Sequence, residues 1–268
     1  MTEEDSLSII NFDFFDEGNG DMRRDITILK DNGQTIYGRI YSPKGEQIAY
    51  PTVIFAHGFG SNYRDIEHYG PQFIQEGVAM VLFDFCGGGP ETLSDGDMEH
   101  MSVLTEMEDL LAVIRVIREM EWVDKDRIFL MGESQGGYVA ALTAARYPEL
   151  VRGLILWYPA FVIEEIAKEE ITTGVPIVYR IFGLTIGEIY NRDATSIHIY
   201  REIRKYHGKV LILHGNRDHL VPLSYSQKAL KVYRDASLSV IHGAGHGFNG
   251  EDSKMAGELS IAFVKENC

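Results

Sequence analysis

Residues 128–138 read Ile-Phe-Leu-Met-Gly-Glu-Ser-Gln-Gly-Gly-Tyr. The apolar run 128–131 has the length and composition of a buried strand, and 138–146 has the composition of a helix. Between them stands Gly132-Glu133-Ser134-Gln135-Gly136, a Gly-x-Ser-x-Gly set between strand and helix. In that context a serine is lifted clear of a sheet on a sharp turn, a nucleophile elbow. Such a serine sits in a strained backbone conformation. Side chains two positions away on either side would meet neighbouring backbone, which accounts for Gly132 and Gly136.

Working outward, strand-like and helix-like segments alternate over most of the chain. Upstream, 8–15, 25–29 and 35–41 carry β-rich patterns, and Asp31-Asn32-Gly33 marks a turn between the last two, so these open the sheet antiparallel. A buried strand follows at 52–56 and leads into His57-Gly58-Phe59-Gly60. Next come a helix at 69–75, a strand at 78–83 and an amphipathic helix at 102–120 with apolar residues three to four apart. Beyond the elbow lie a strand at 153–157, a strand at 209–214, a helix at 223–233, a strand at 237–241 and a closing helix at 253–264. The alternation predicts an α/β fold with a mostly parallel central sheet flanked by helices, and a site at the carboxyl ends of its strands.

One interval departs from the alternation. About fifty residues separate the strand at 153–157 from the one at 209–214, far more than an ordinary connection. The stretches 163–172 and 177–189 look helical, and Tyr158, Phe161, Tyr179, Phe182 and Tyr190 supply aromatic rings. Two readings stand side by side: a helix with a long decorated loop whose aromatics are core, or a cap over the catalytic face that excludes water and lines a pocket.

Composition narrows the function. The chain has 268 residues, 45% of them hydrophobic, enough for a sizeable core. Its formal net charge of −15 argues against nucleic acid or an anionic membrane as partner. No apolar run approaches the roughly 18 residues of a membrane span. The acidic start Met1-Thr2-Glu3-Glu4-Asp5 lacks the basic and apolar regions of a signal peptide, so a cytoplasmic location is expected. Two cysteines, Cys86 and Cys268, give neither a disulfide framework nor a metal spacing. Nine histidines without a His-x-x-x-His or His/Cys cluster give no expectation of a metal. Gly87-Gly88-Gly89 lacks the lysine of a phosphate loop and reads as a turn, so no cofactor is expected.

A serine needs a base, and the base an orienting acid. After an elbow of this kind the two follow in the order acid, then histidine. Asp218 lies in the loop after the strand at 209–214, and His246 lies in the glycine-rich loop after the strand at 237–241. Both loops are expected at the sheet edge that carries Ser134. His242 and His219 compete less well, the first as a strand-end residue and the second as a direct neighbour of Asp218. Asp84 precedes the serine and is expected to brace loops. An oxyanion requires donors; the N–H of Gln135, next to the nucleophile, and the N–H of Phe59, after Gly58, are the expected pair.

His57-Gly58-Phe59, Gly132-Glu133-Ser134-Gln135-Gly136-Gly137, Asp218 with Val221-Pro222, and Gly245-His246-Gly247-Phe248 together resemble the α/β-hydrolase superfamily. More narrowly the chain resembles bacterial cinnamoyl (feruloyl) esterases, which also carry His-Gly-Phe, Ser-Gln-Gly-Gly and a cap after the sixth core strand. The resemblance runs from about Asp25 to Val264. It implies a core of residues 1–158 and 206–268 and a cap at 159–205 that selects a phenolic acyl group. It further implies Ser134 as nucleophile, His246 as base and acid, Asp218 as orienter, and Phe59 and Gln135 as oxyanion donors. Tyr158, Phe161, Tyr179 and Tyr190 are the cap-side aromatics expected to meet substrate. Glu133 stands where many relatives have His, which changes the support behind the elbow.

The expected reaction is hydrolysis of a carboxylic ester of a hydroxycinnamic acid through an acyl-enzyme. The expected partner is a small ester with an aromatic acyl group. A general carboxylesterase or monoacylglycerol lipase would keep the triad and change the cap. A prolyl-oligopeptidase-type peptidase usually carries a propeller for which this chain has no room. A non-catalytic binding module often loses a triad member, and none is lost. Related esterases are often homodimers, although no heptad or apolar stripe in this sequence argues for one.

Overall fold

Alternation along single strands makes a sheet buried on both faces. In the strand Tyr50–Ala56, Val53 and Phe55 enter one core while Ile54 and Ala56 enter the other, and all four are fully buried. The same division holds for Ile128 and Leu130 against Phe129 and Met131, and for Leu154 and Leu156 against Ile155 and Trp157. Such near-continuous apolar runs are what a parallel sheet covered by helices on both faces requires.

The computed structural model describes residues 8–16, 22–43 and 49–268, the first stretch as backbone only. Its strands are β1 (Ser8–Asp16), β2 (Met22–Leu29), β3 (Thr35–Ser42), β4 (Tyr50–Ala56), β5 (Ala79–Phe83), β6 (Val123–Glu133), β7 (Gly153–Trp157), β8 (Lys209–Gly215) and β9 (Ala236–Ile241). The helices are α1 (Tyr63–Ile66), α2 (Gly70–Gln75), α3 (Val103–Arg118), α4 (Ser134–Arg146), α5 (Ile163–Thr173), α6 (Ile177–Phe182), α7 (Glu188–Ser196), α8 (Ile199–Glu202), α9 (Ser224–Val232) and α10 (Glu251–Glu266).

The sheet runs β1-β2-β3-β5-β4-β6-β7-β8-β9. Pairing is antiparallel from β1 through β5 and parallel from there to β9. The chain leaves β4 first toward β5 and later returns on its other side as β6, so β4 and β6 flank the point where strand order reverses. A ligand crevice is expected outside the carboxyl ends of the strands there. Helices α3, α4 and α9 cover one face, joined by α5 and α7, while α1, α2 and α10 cover the other. This is the α/β-hydrolase arrangement, with β1 added at the antiparallel edge. The long segment α5–α8 follows β7, the sixth strand counted from β2.

Local chemistry explains the element boundaries. The Ser102 hydroxyl accepts from the N–H groups of Leu104 and Thr105, and the Thr105 hydroxyl accepts from the Ser102 N–H, which closes a capping box at the start of α3. The expected single helix over 177–189 is two helices. Gly183 adopts φ +70°, and its N–H bonds to the Tyr179 carbonyl at 2.7 Å, a left-handed cap that ends α6. The elbow helix begins at Ser134 rather than at 138, because packing of Gly136 and Gly137 on the sheet outweighs their low helix propensity. Four-residue α1 carries no periodic signal; the Asn62 side chain caps it by accepting the Arg64 N–H at 3.0 Å. Among the described residues no helix is long and apolar enough to cross a membrane.

Candidate active site

Parallel strands deliver the decisive loops to one edge: His57-Gly58-Phe59 after β4, Ser134 after β6, Asp218 after β8 and His246 after β9. Ser134 sits at φ +50°, a conformation that costs an L-residue about 1–2 kcal/mol. Close backbone contact enforces it. A Cβ on Gly132 would stand 2.3 Å from the Gly136 carbonyl oxygen, and one on Gly136 would stand 2.2 Å from the Ala56 carbonyl oxygen. The two glycines therefore let the elbow close on itself and settle against the end of β4. The Ala160 N–H donates to the Ser134 carbonyl at 2.9 Å and pins the turn from the other side.

The Ser134 hydroxyl lies 2.9 Å from His246 Nε2, and His246 Nδ1 lies 2.8 Å from Asp218 Oδ2. A carboxylate can only accept, so Nδ1 carries the proton and Nε2 is the lone pair that accepts from the serine. The Asp218 side chain is buried while that of His246 is 19% exposed, enough to meet a substrate. Burial alone would raise the Asp218 pKa. Hydrogen bonds from His214, His246 and the Val221 N–H overcome this and hold the carboxyl well below the usual range. Asp218 is thereby kept ionised beside the imidazole.

His214, at the end of β8, was not singled out by the sequence pattern. It is fully buried, with Nε2 at 2.8 Å from the Val221 carbonyl and 3.2 Å from Asp218 Oδ2. Both neighbours are acceptors, so Nε2 is protonated, and Nδ1 accepts the Ser226 hydroxyl at 2.7 Å. Its only sequence signal was a histidine four residues before the acid. His219 and His242 are exposed and stand outside this chain of bonds. Asp84 braces loops as expected, accepting the N–H groups of Tyr63 and Leu93 at 2.7 Å each.

The side where oxyanion donors were expected is built around Gly58, whose added Cβ would lie 3.5 Å from the Ser134 Cβ. The N–H groups of Phe59 and Gln135 take no acceptor among the described residues. Buried His57 fixes this loop, with Nδ1–H donating to the Gly58 carbonyl at 2.8 Å and Nε2 accepting the Phe85 N–H at 3.1 Å. Gln135 is held at its other end: Oε1 accepts the Tyr190 hydroxyl at 2.5 Å, and Nε2 donates to Glu106 at 2.9 Å. Burial pushes the Glu106 carboxyl up to about 8, against the Gln135 hydrogen bond that lowers it.

Two hollows flank Ser134. An apolar recess is lined by Phe59, Gln135, Ile163, Val178, Phe182, Tyr190 and others. The opposite, more polar cleft is lined by Ser61, Glu133, Tyr158, His246 and Phe248. Of the four cap-side aromatics, Tyr190 faces the recess and Tyr158 the cleft. Phe161 packs into the core against Tyr138 and Tyr200, and Tyr179 is 55% exposed, so neither lines either hollow. Phe182 takes the place expected for them, its ring 5.0 Å from that of Phe59. Cys86 is buried against Asp109 and the Thr35 carbonyl, away from both hollows. No group of three or more metal-ligating side chains exists among the described residues.

Comparison with known proteins agrees with this fold. Est1E from Butyrivibrio proteoclasticus, solved with ferulic acid bound, superposes with a TM-score of 0.78 at 26% identity, covering 89% of this chain and 98% of that one. Acetyl xylan esterase from Paenibacillus sp. R4 superposes with a TM-score of 0.73 at 18% identity, covering 99% and 90%, a likeness of fold alone. The quorum-quenching protein AidA of Acinetobacter baumannii (strain MDR-ZJ06) is 31% identical over 108 residues, 40% of this chain and 34% of AidA. Matches of this kind span about a third of the length of the curated relatives. The family model described as serine aminopeptidase, S33, matches residues 48–193, just over half of the chain. With the elbow, the strand order and that match in agreement, the chain belongs to this family of α/β-hydrolases.

Proposed function

We propose that the protein is a serine esterase that hydrolyses carboxylic esters of hydroxycinnamic acids. The observation that carries the chemistry is the continuous hydrogen-bonded line from Ser134 through His246 to Asp218, beside the N–H groups of Phe59 and Gln135, which take no acceptor among the described residues. In the proposed reaction His246 Nε2 takes the Ser134 proton as Oγ attacks the ester carbonyl. The oxyanion is received by the N–H groups of Phe59 and Gln135. His246 then protonates the leaving alcohol, and the same imidazole activates water to release the acid. Asp218 holds the ring and favours the imidazolium that forms in each step.

The aromatic acyl group is supported by the recess, whose Phe59, Phe182 and Tyr190 rings stand beside Ser134, and by the likeness to Est1E, solved with ferulic acid bound. In this reading residues 159–205 act as a cap, since Val178, Phe182 and Tyr190 come from that segment. The more polar cleft opposite then takes the alcohol. A cytoplasmic setting is in keeping with the free thiols of Cys86 and Cys268.

The test is turnover of a panel comprising methyl ferulate, methyl caffeate, p-nitrophenyl butyrate, a monoacylglycerol and a proline-containing peptide, with Ser134→Ala alongside. Preference for the cinnamates, lost in the variant, is the expected result. Activity confined to the aliphatic esters would move the substrate to that class, and cleavage of the peptide alone would replace the esterase reading.

A further inference from the structure

One carboxylate touches three parts of the site. Glu133 immediately precedes the elbow serine. Its Oε2 accepts the Tyr158 hydroxyl at 2.6 Å, and its Oε1 packs beside Gly58, 3.7 Å from where a Cβ on that glycine would stand. Gly58 in turn precedes Phe59 in the oxyanion loop. Tyr158 stands edge-on to the imidazole of His246, with ring centroids 4.8 Å apart at 61°, and edge-on to Phe248 at 4.7 Å.

Tyr158 does not reach this position without strain. Its φ is +34°, outside the ordinary range of a bulky residue, and it is held there by its N–H bond to the Leu213 carbonyl at 2.7 Å and by the hydroxyl bond to Glu133. Burial raises the Glu133 pKa, and the Tyr158 hydrogen bond opposes that rise. Drawing a carboxylate even partly out of water costs free energy, so an apolar side chain would serve better if Glu133 only filled space.

We infer that Glu133 is a positioning residue: its carboxylate holds the Tyr158 ring by a hydrogen bond and packs against Gly58, so that the Phe59 N–H and His246 converge on Ser134. This rests on the serine-esterase reading and adds a residue to it. Glutamine can keep the Tyr158 bond, since its carbonyl accepts from the hydroxyl, and it keeps the packing against Gly58. Alanine removes the bond and the packing against Gly58, and Tyr158→Phe removes the bond alone.

The experiment measures the second-order rate at which a serine-directed fluorophosphonate labels the protein, together with kcat and KM on p-nitrophenyl butyrate. Glu133→Ala is expected to label roughly 10- to 100-fold more slowly and to lose kcat in proportion, with KM within about twofold, as for a misplaced reacting geometry. Glu133→Gln is expected to stay within about threefold of the parent, and Tyr158→Phe to fall about tenfold, which covers the case in which the alanine variant fails to fold. Parental rates in Glu133→Ala and Tyr158→Phe, or a glutamine variant no better than alanine, would overturn the inference alone. A parent protein that does not label would remove the esterase reading and this inference with it.

Discussion

The hydroxyl of Tyr190, on α7, donates to the side-chain carbonyl of Gln135, the residue next to the elbow serine, across 2.5 Å. The bond ties the segment between β7 and β8 to the core at the point where the proposed oxyanion would form. Gln135 passes the connection on to Glu106 of α3. A second tie runs parallel to it, from the Ser102 hydroxyl to Asp193 of α7 at 2.7 Å.

Tyr190→Phe leaves the Gln135 carbonyl without its donor in an apolar recess, which costs about 1–3 kcal/mol. The variant is expected to lose kcat/KM on methyl ferulate several-fold more than on p-nitrophenyl acetate, whose acyl group is too short to reach Tyr190. The ratio of the two kcat/KM values, measured in parent and variant, checks this.

Glu106 offers a pH test. Its folded pKa, about 8, lies above that of an unfolded glutamate, so the native state binds the proton more tightly. Its contribution to stability is therefore complete below the unfolded value and declines as pH rises toward about 8, by an amount on the order of a few kcal/mol. Glu106→Gln has no charge to bury. Its unfolding midpoint is expected to match the parent at pH 5 and exceed it at pH 8.5, as read by thermal denaturation at both values.

His214→Leu takes one donor from Asp218 and leaves the Ser226 hydroxyl without its acceptor. The expected result is a fall in kcat of about tenfold with a loss of stability of about 1–3 kcal/mol. Ser226→Ala, which touches only the far nitrogen of the ring, is expected to cost less on both counts. Steady-state kinetics and denaturant unfolding of the pair check the order.

The strain at Ser134 predicts a gain. Ser134→Gly relieves the positive φ and is expected to stabilise the protein by about 1 kcal/mol relative to Ser134→Ala, with both variants inactive. Denaturant midpoints of the two variants decide it.

Much of this was legible before the structure. The paired glycines around Ser134 and the order Asp218 then His246 are local signals, and the sheet brings them to one edge because parallel strands share their carboxyl ends. The apolar strand cores at 52–56, 128–131 and 153–157 are long-run patterns and survive intact. What escaped the sequence depends on tertiary contact. His214 looked like any strand-end histidine until the β8 loop folded Asp218 back onto it. Phe161 and Tyr179 lie in the same aromatic-rich stretch as Tyr190, but composition gives no direction to a side chain. The break at Gly183 rotates the neighbouring helices and decides which rings reach the recess.

The most direct measurement of the central claim is the mass of the protein quenched in acid during turnover of methyl ferulate. The account predicts an adduct of one feruloyl group, mapped by peptide digestion to the fragment containing Ser134 and absent from Ser134→Ala. Product formation with no covalent adduct at any time after mixing, or an adduct on another residue, would contradict it.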